Sequence, residues 1–85
     1  MELKNALADY TEAEFTTLIQ AIKECEGSEE WQNDLIAHLN SLAAGAGGSD
    51  LIFYPEPGAD TSARGIVQTI QGWCIASGKA GFRSS

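Results

Sequence analysis

Apolar residues recur every three or four positions in three separate stretches of this chain. Phe15, Leu18, Ile19 and Ile22 make the first set, and Trp31, Leu35, Ile36, Leu39 and Leu42 the second. Ile66, Ile70 and Trp73, with Val67 and Cys74 beside them, make the third. That spacing is the period of an α-helix with one buried face. Punctuation agrees with it. Thr11-Glu12-Ala13-Glu14 has the form of a capping box, in which the Thr11 hydroxyl and the Glu14 carboxylate satisfy each other's backbone amides. Ser28, followed by Glu29 and Glu30, caps a second helix and places acids at its positive dipole end. Ser62 caps the third, and Gly78 is suited to the left-handed position that closes it. The first helix is expected to end near Cys25, before Gly27.

Between the second and last long helices the chain changes character. Ala43 to Gly48 is small and flexible, and no packed element is expected there. Ser49-Asp50-Leu51-Ile52-Phe53-Tyr54-Pro55 follows. Ser49 can cap a single helical turn, and Pro55 disfavours helical dihedrals at Tyr54 and ends it. The expected helices are 12–25, 29–44, 50–54 and 63–77. The expected core is Phe15, Leu18, Ile19, Ile22, Leu35, Leu39, Ile52, Ile66, Ile70 and Trp73. Lys79 to Ser85 reads as an extended arm with Phe82 tucked onto the core. The fold class is all-α: a small, distorted four-helix bundle with a very short third helix, forming one domain over residues 1–85.

A chain of 85 residues leaves little room for both a core and a deep cleft, so function is expected at the surface. Twelve acids against five Lys and Arg leave a formal charge of −7. Such a chain repels phosphates, which argues against direct nucleic-acid binding. The charge suits a basic protein partner, or serves only to keep a small protein soluble. No apolar run is long enough to cross a membrane, and the opening Met1-Glu2-Leu3-Lys4 is unlike a secretory signal. The expected compartment is the cytoplasm, with Cys25 and Cys74 as reduced thiols. Their spacing matches no metal motif, and His38 is the only histidine, so no metal or cofactor is expected.

His38 lies beside the apolar face of the second helix and reads as a hydrogen-bonded structural residue. No nucleophile–base pair is visible, so the chain does not read as an enzyme. The segment from Asp50 to Pro55 is harder to account for by packing. Leu51 and Ile52 can serve the core, but one turn is too short to bury Phe53 and Tyr54 as well. Either both rings pack inside, or at least one is exposed beside an acid, as in an interface hot spot.

Several strings resemble one family. They are Met1-Glu2-Leu3-Lys4, Asp9-Tyr10-Thr11-Glu12-Ala13-Glu14-Phe15, Gly48-Ser49-Asp50-Leu51-Ile52-Phe53-Tyr54-Pro55, Gly65-Ile66-Val67 with Trp73, and Gly78-Lys79 with Gly81-Phe82. In this order they are similar to colicin and pyocin DNase immunity proteins over essentially the whole chain. The resemblance implies a cytosolic antidote, not an enzyme. It would grip the basic nuclease domain of a cognate bacteriocin beside its active site, blocking DNA access and protecting the producing cell. It implies a monomer when free and a 1:1 heterodimer when bound. It assigns a shared anchor to Ser49, Asp50, Phe53, Tyr54 and Pro55. Partner choice falls to Glu29, Gln32, Asn33, Ile36 and Asn40; of these, Gln32, Asn33, Ile36 and Asn40 are expected to face outward in the free protein, so that replacing them has little effect on folding. The chain departs from the family where the usual Tyr-Tyr-Pro reads Phe53-Tyr54-Pro55, and where a late acid of the second helix is Asn40.

Two other readings fit a small, acidic, helical chain. An acyl carrier protein needs a serine directly after an aspartate, and Ser49-Asp50 is the reverse order. A DNA mimic needs carboxylates spaced along one face, whereas the second helix offers Gln32, Asn33 and Asn40.

Overall fold

The computed structural model describes residues 3–83, so Met1, Glu2, Ser84 and Ser85 lie outside the described residues. Four α-helices follow one another among the described residues: α1 (Glu12–Lys23), α2 (Glu29–Ala43), α3 (Asp50–Phe53) and α4 (Ala63–Ala76). Short 3-10 turns at Leu7–Asp9 and Ala44–Ala46 flank them.

Helix α1 starts as the capping box requires. The Glu14 amide donates to Thr11 Oγ1 at 3.1 Å, and the Thr11 amide to Glu14 Oε1 at 2.9 Å. Lys4 Nζ lies 2.8 Å from the other Glu14 oxygen. The lysine hydrogen bond, followed by the Thr11 amide, draws the Glu14 pKa down from 4.5 to about 2. Ser28 and Ser62 likewise accept from Trp31 and Gly65. Ser49 differs from expectation: its backbone is already helical and its side chain makes no cap.

Helix α1 ends two residues before the expected boundary. The Glu26 amide donates to the Ala21 carbonyl and the Cys25 amide to that of Ile22. This is the double closure of a Schellman turn. Cys25, at φ 53°, takes the left-handed position in which a glycine would be at ease. Helix α4 closes in the same pattern, with Lys79 bonded to the Cys74 carbonyl and Gly78 at φ 69°.

The core is built chiefly by α1 on α4, with α2 closing one side. Phe15, Leu18, Ile19, Ala21 and Ile22 meet Ile66, Val67, Ile70 and Cys74 there. Helix α2 adds only Leu35, Leu39 and Ala43 as buried residues, and α3 adds none. Two expected core residues, Ile52 and Trp73, are only half-buried. Ile52 leans on the core from α3, none of whose residues is buried. The Trp73 indole lies over Gly45 with Lys79 Nζ 5.6 Å from the ring centroid, at the surface. In their place the chain before α1 contributes Leu7 and Tyr10, both buried.

Tyr10 ties several segments together. Its hydroxyl accepts from the Lys4 amide at 2.8 Å and lies 2.8 Å from His38 Nε2, and its ring meets Phe15 edge-on at 5.1 Å. Burial holds the His38 pKa below the ordinary 6.5, as suits a neutral structural imidazole. The C-terminal arm docks beside it. The Arg83 amide donates to the Tyr10 carbonyl at 2.9 Å, and the Phe82 ring sits 5.1 Å from that of Phe15.

Candidate functional site

The stretch expected to stay unpacked builds the approach to α3. Ala44–Ala46 forms a 3-10 turn, then Gly47 and Gly48 take φ of 117° and 51° and reverse the chain. The Gly48 amide returns to the Ala43 carbonyl at 2.9 Å. From there Phe53 donates to the Ser49 carbonyl and Tyr54 to that of Asp50, closing a single turn. Leu51 and Ile52 lean on the core. With those positions turned inward, Phe53 and Tyr54 point out, 49% and 79% exposed. Asp50 and Pro55 beside them are also exposed, and Ser49 is half-buried. The alternative in which both rings pack inside is therefore not what forms.

A groove of about 350 Å³ lies between α3, the loop after Pro55 and α4. Leu51 and Ile66 line it with Asp50, Glu56 and Asp60. Asp60 Oδ1 accepts from the Ser62 amide at 3.0 Å and from its hydroxyl at 2.7 Å, and these bonds depress the Asp60 pKa.

The α2 residues divide into two kinds. Glu29, Asn33 and Asn40 are exposed, whereas Gln32 and Ile36 are half-buried. Ile36 packs against the core. The Gln32 amide nitrogen donates to the Ala21 carbonyl at 3.1 Å and also to the Glu26 carbonyl, clasping the Schellman turn. The expectation that Gln32 and Ile36 face outward is corrected, since both are half-buried: one side chain holds a turn and the other fills the rim of the core. Asn40 Oδ1 accepts from the Ser49 amide at 2.8 Å, which joins the end of α2 to the start of α3. The two sets of residues expected from the sequence therefore meet at Asn40 and Ser49. From Glu29 to Asn40 the helix runs about 16 Å, at 1.5 Å per residue.

Further acids belong to this surface. Glu24, Glu26, Glu30 and Asp34 are exposed around Glu29. The signal was legible as an acidic run from Glu24 to Asp34 with no Lys or Arg in it. Every acid of the chain precedes Thr61, whereas Arg64, Lys79 and Arg83 follow it. Among the described residues, no three His, Cys, Asp or Glu side chains gather as a metal site requires. Cys74 is buried, which raises its thiol pKa. No described helix is long and apolar enough to cross a membrane.

Residues 7–75 match the family described as colicin immunity protein / pyocin immunity protein. The pyocin-S1 immunity protein of Pseudomonas aeruginosa is 28% identical, over 96% of this chain and 99% of its own length. The pyocin-S2 immunity protein of the same species is similar to the same extent. Among solved structures, a chain of the pyocin AP41 DNase–immunity complex superposes with a TM-score of 0.83 and 33% identity, covering 100% of this chain and 98% of that one. A chain from the complex of the mutant pyocin S8 nuclease domain with its cognate immunity protein gives 0.75 and 31%, covering 95% and 100%.

Proposed function

Because this chain belongs to the colicin and pyocin immunity protein family, we propose that it binds the DNase domain of a cognate bacteriocin, one to one, and inhibits it. The observation that carries this reading is the outward display of Phe53 and Tyr54 on a closed helical turn. Aromatic area fixed before binding loses little entropy on docking, and large exposed rings are otherwise a liability for a small acidic protein. Ser49, Asp50, Phe53, Tyr54 and Pro55 form the anchor. Glu29, Asn33, Ile36 and the neighbouring acids choose among partners, because a mismatched charge or unfilled contact there rejects the wrong nuclease.

The acidic surface contributes in two ways. It speeds encounter with a domain that must be basic to hold DNA. Once bound beside the active site, it repels the phosphate backbone of incoming DNA. Inhibition then needs no chemistry from this chain, which acts as a single binding domain in the cytoplasm of the producing cell. His38, spent on Tyr10, is no candidate base.

The test is capture of the nuclease domain encoded beside this gene, followed by a DNA-nicking assay. Nicking should stop at an equimolar ratio of the two proteins. Unchanged nicking at a large excess of this chain would refute the proposal.

A further inference from the structure

The turn that carries Phe53 and Tyr54 is fastened at its entrance by a residue outside it. A four-residue helix does not hold itself in water. Its N-cap residue, Ser49, makes no side-chain cap, and the amides of Asp50, Leu51 and Ile52 turn back to the carbonyls of Gly47, Gly48 and Ser49 instead. The Ser49 amide is satisfied from outside the turn, by Asn40 Oδ1 at 2.8 Å, across nine residues of sequence. The chain just before it is shaped to allow this. Gly48 is buried at φ 51°, and a Cβ there would collide with the same Asn40 oxygen.

We infer that Asn40 is a positioning residue for the aromatic turn: its carboxamide oxygen fastens the start of α3 to the end of α2 and sets where Phe53 and Tyr54 point. It therefore acts on the nuclease through the anchor, although it stands on the helix that chooses the partner. This inference rests on the anchor reading of Tyr54 given above. The bond is a neutral acceptor on a backbone amide, so any group presenting an oxygen at that place and distance serves. Asn40→Asp keeps such an oxygen. Asn40→Ala removes it and leaves the Ser49 amide to solvent.

The experiment combines amide hydrogen exchange at Ser49 in the free protein with dissociation of the nuclease domain encoded beside this gene. Both are measured for Asn40→Ala and Asn40→Asp, alone and with Tyr54→Ala, at high salt so that the added charge of Asp is screened. Asn40→Ala should speed Ser49 exchange and dissociation, each about three- to tenfold, the size of one net hydrogen bond. Asn40→Asp should restore both to within about twofold, as an intact acceptor implies. In the Tyr54→Ala background, Asn40→Ala should add almost nothing to dissociation. Three results overturn the inference: an Asn40→Ala effect that persists in full without Tyr54, an Asp variant as impaired as Ala in both readouts, or unchanged Ser49 exchange in Asn40→Ala. If Tyr54→Ala alone leaves dissociation unchanged, the anchor reading has failed and the positioning role falls with it. A strong Tyr54→Ala effect beside an inert Asn40→Ala sinks the positioning role alone.

Discussion

Replacing Tyr54 by alanine isolates the anchor from the fold. The ring is 79% exposed in the free protein, so its removal takes almost nothing from the core. An aromatic side chain buries about 150–250 Å² when covered, and most of that area is still available here. At about 25 cal/mol per Å², covering ~150 Å² is worth about 4 kcal/mol. Fixing the side chain costs about 0.5–1.5 kcal/mol of that gain. A loss of about 2.5–3.5 kcal/mol remains, which lies within the range of interface hot spots and is about 60- to 300-fold in affinity. The loss should appear mostly as faster dissociation, because ring burial follows encounter. Phe53→Ala should lose less affinity and some stability, since half of that ring is already covered. Stopped-flow displacement of labelled nuclease reads dissociation, and a thermal melt reads the fold. Unchanged dissociation for a folded Tyr54→Ala protein would place the anchor elsewhere. An unfolded Tyr54→Ala protein would show that the turn depends on the ring.

Three further outcomes follow from the geometry. Cys25→Gly should raise stability by about 0.5–1 kcal/mol in urea melts, since the left-handed position costs a side chain about 1–2 kcal/mol and glycine returns part of that in chain entropy. Gln32→Ala should destabilise by about 1–2 kcal/mol as the bonds to the Ala21 and Glu26 carbonyls are lost, whereas an Asn33 exchange for a relative's residue should shift partner preference with an unchanged melt. Stability should fall on acidification in two stages, because both groups bind protons more weakly when folded than unfolded. The His38 contribution is complete above 6.5 and fades below it, and the Glu14 contribution is complete above 4.5 and is lost as pH falls towards 2. Urea midpoints between pH 8 and 2.5 check this, and Glu14→Gln should flatten the lower stage.

How legible each part was depended on whether its signal was local. Helix positions and caps rest on contacts three or four residues apart, so Thr11, Ser28, Ser62 and Gly78 announced them. The buried Tyr10 gave no periodic signal: its partners, Lys4, His38 and the docked Arg83 backbone, come from three parts of the chain. Ile52 and Trp73 had the right spacing but not enough cover, because α3 and the end of α4 lie at the margin of the core. At the site, the shortness of the turn raised the exposure of a ring as one of two alternatives, and the folded chain exposes both Phe53 and Tyr54. The duties of Gln32 and Asn40 were not legible, since each spends its amide on a backbone group that only the folded chain brings near.

That division has a consequence for how such a surface can vary. The core is concentrated on α1 and α4, while α2 lends few buried residues and α3 none. Glu29, Glu30, Asn33 and Asp34 are exposed, so substitution there takes little from the core. Surface changes of this kind usually move stability by less than about 0.5 kcal/mol. Gln32 and Asn40 are the exceptions on the same helix, because each brackets a turn that carries part of the surface. On the proposed function, exchanges at these exposed positions should change partner preference without disturbing the fold, provided that Gln32 and Asn40 keep the loop and the aromatic turn in place.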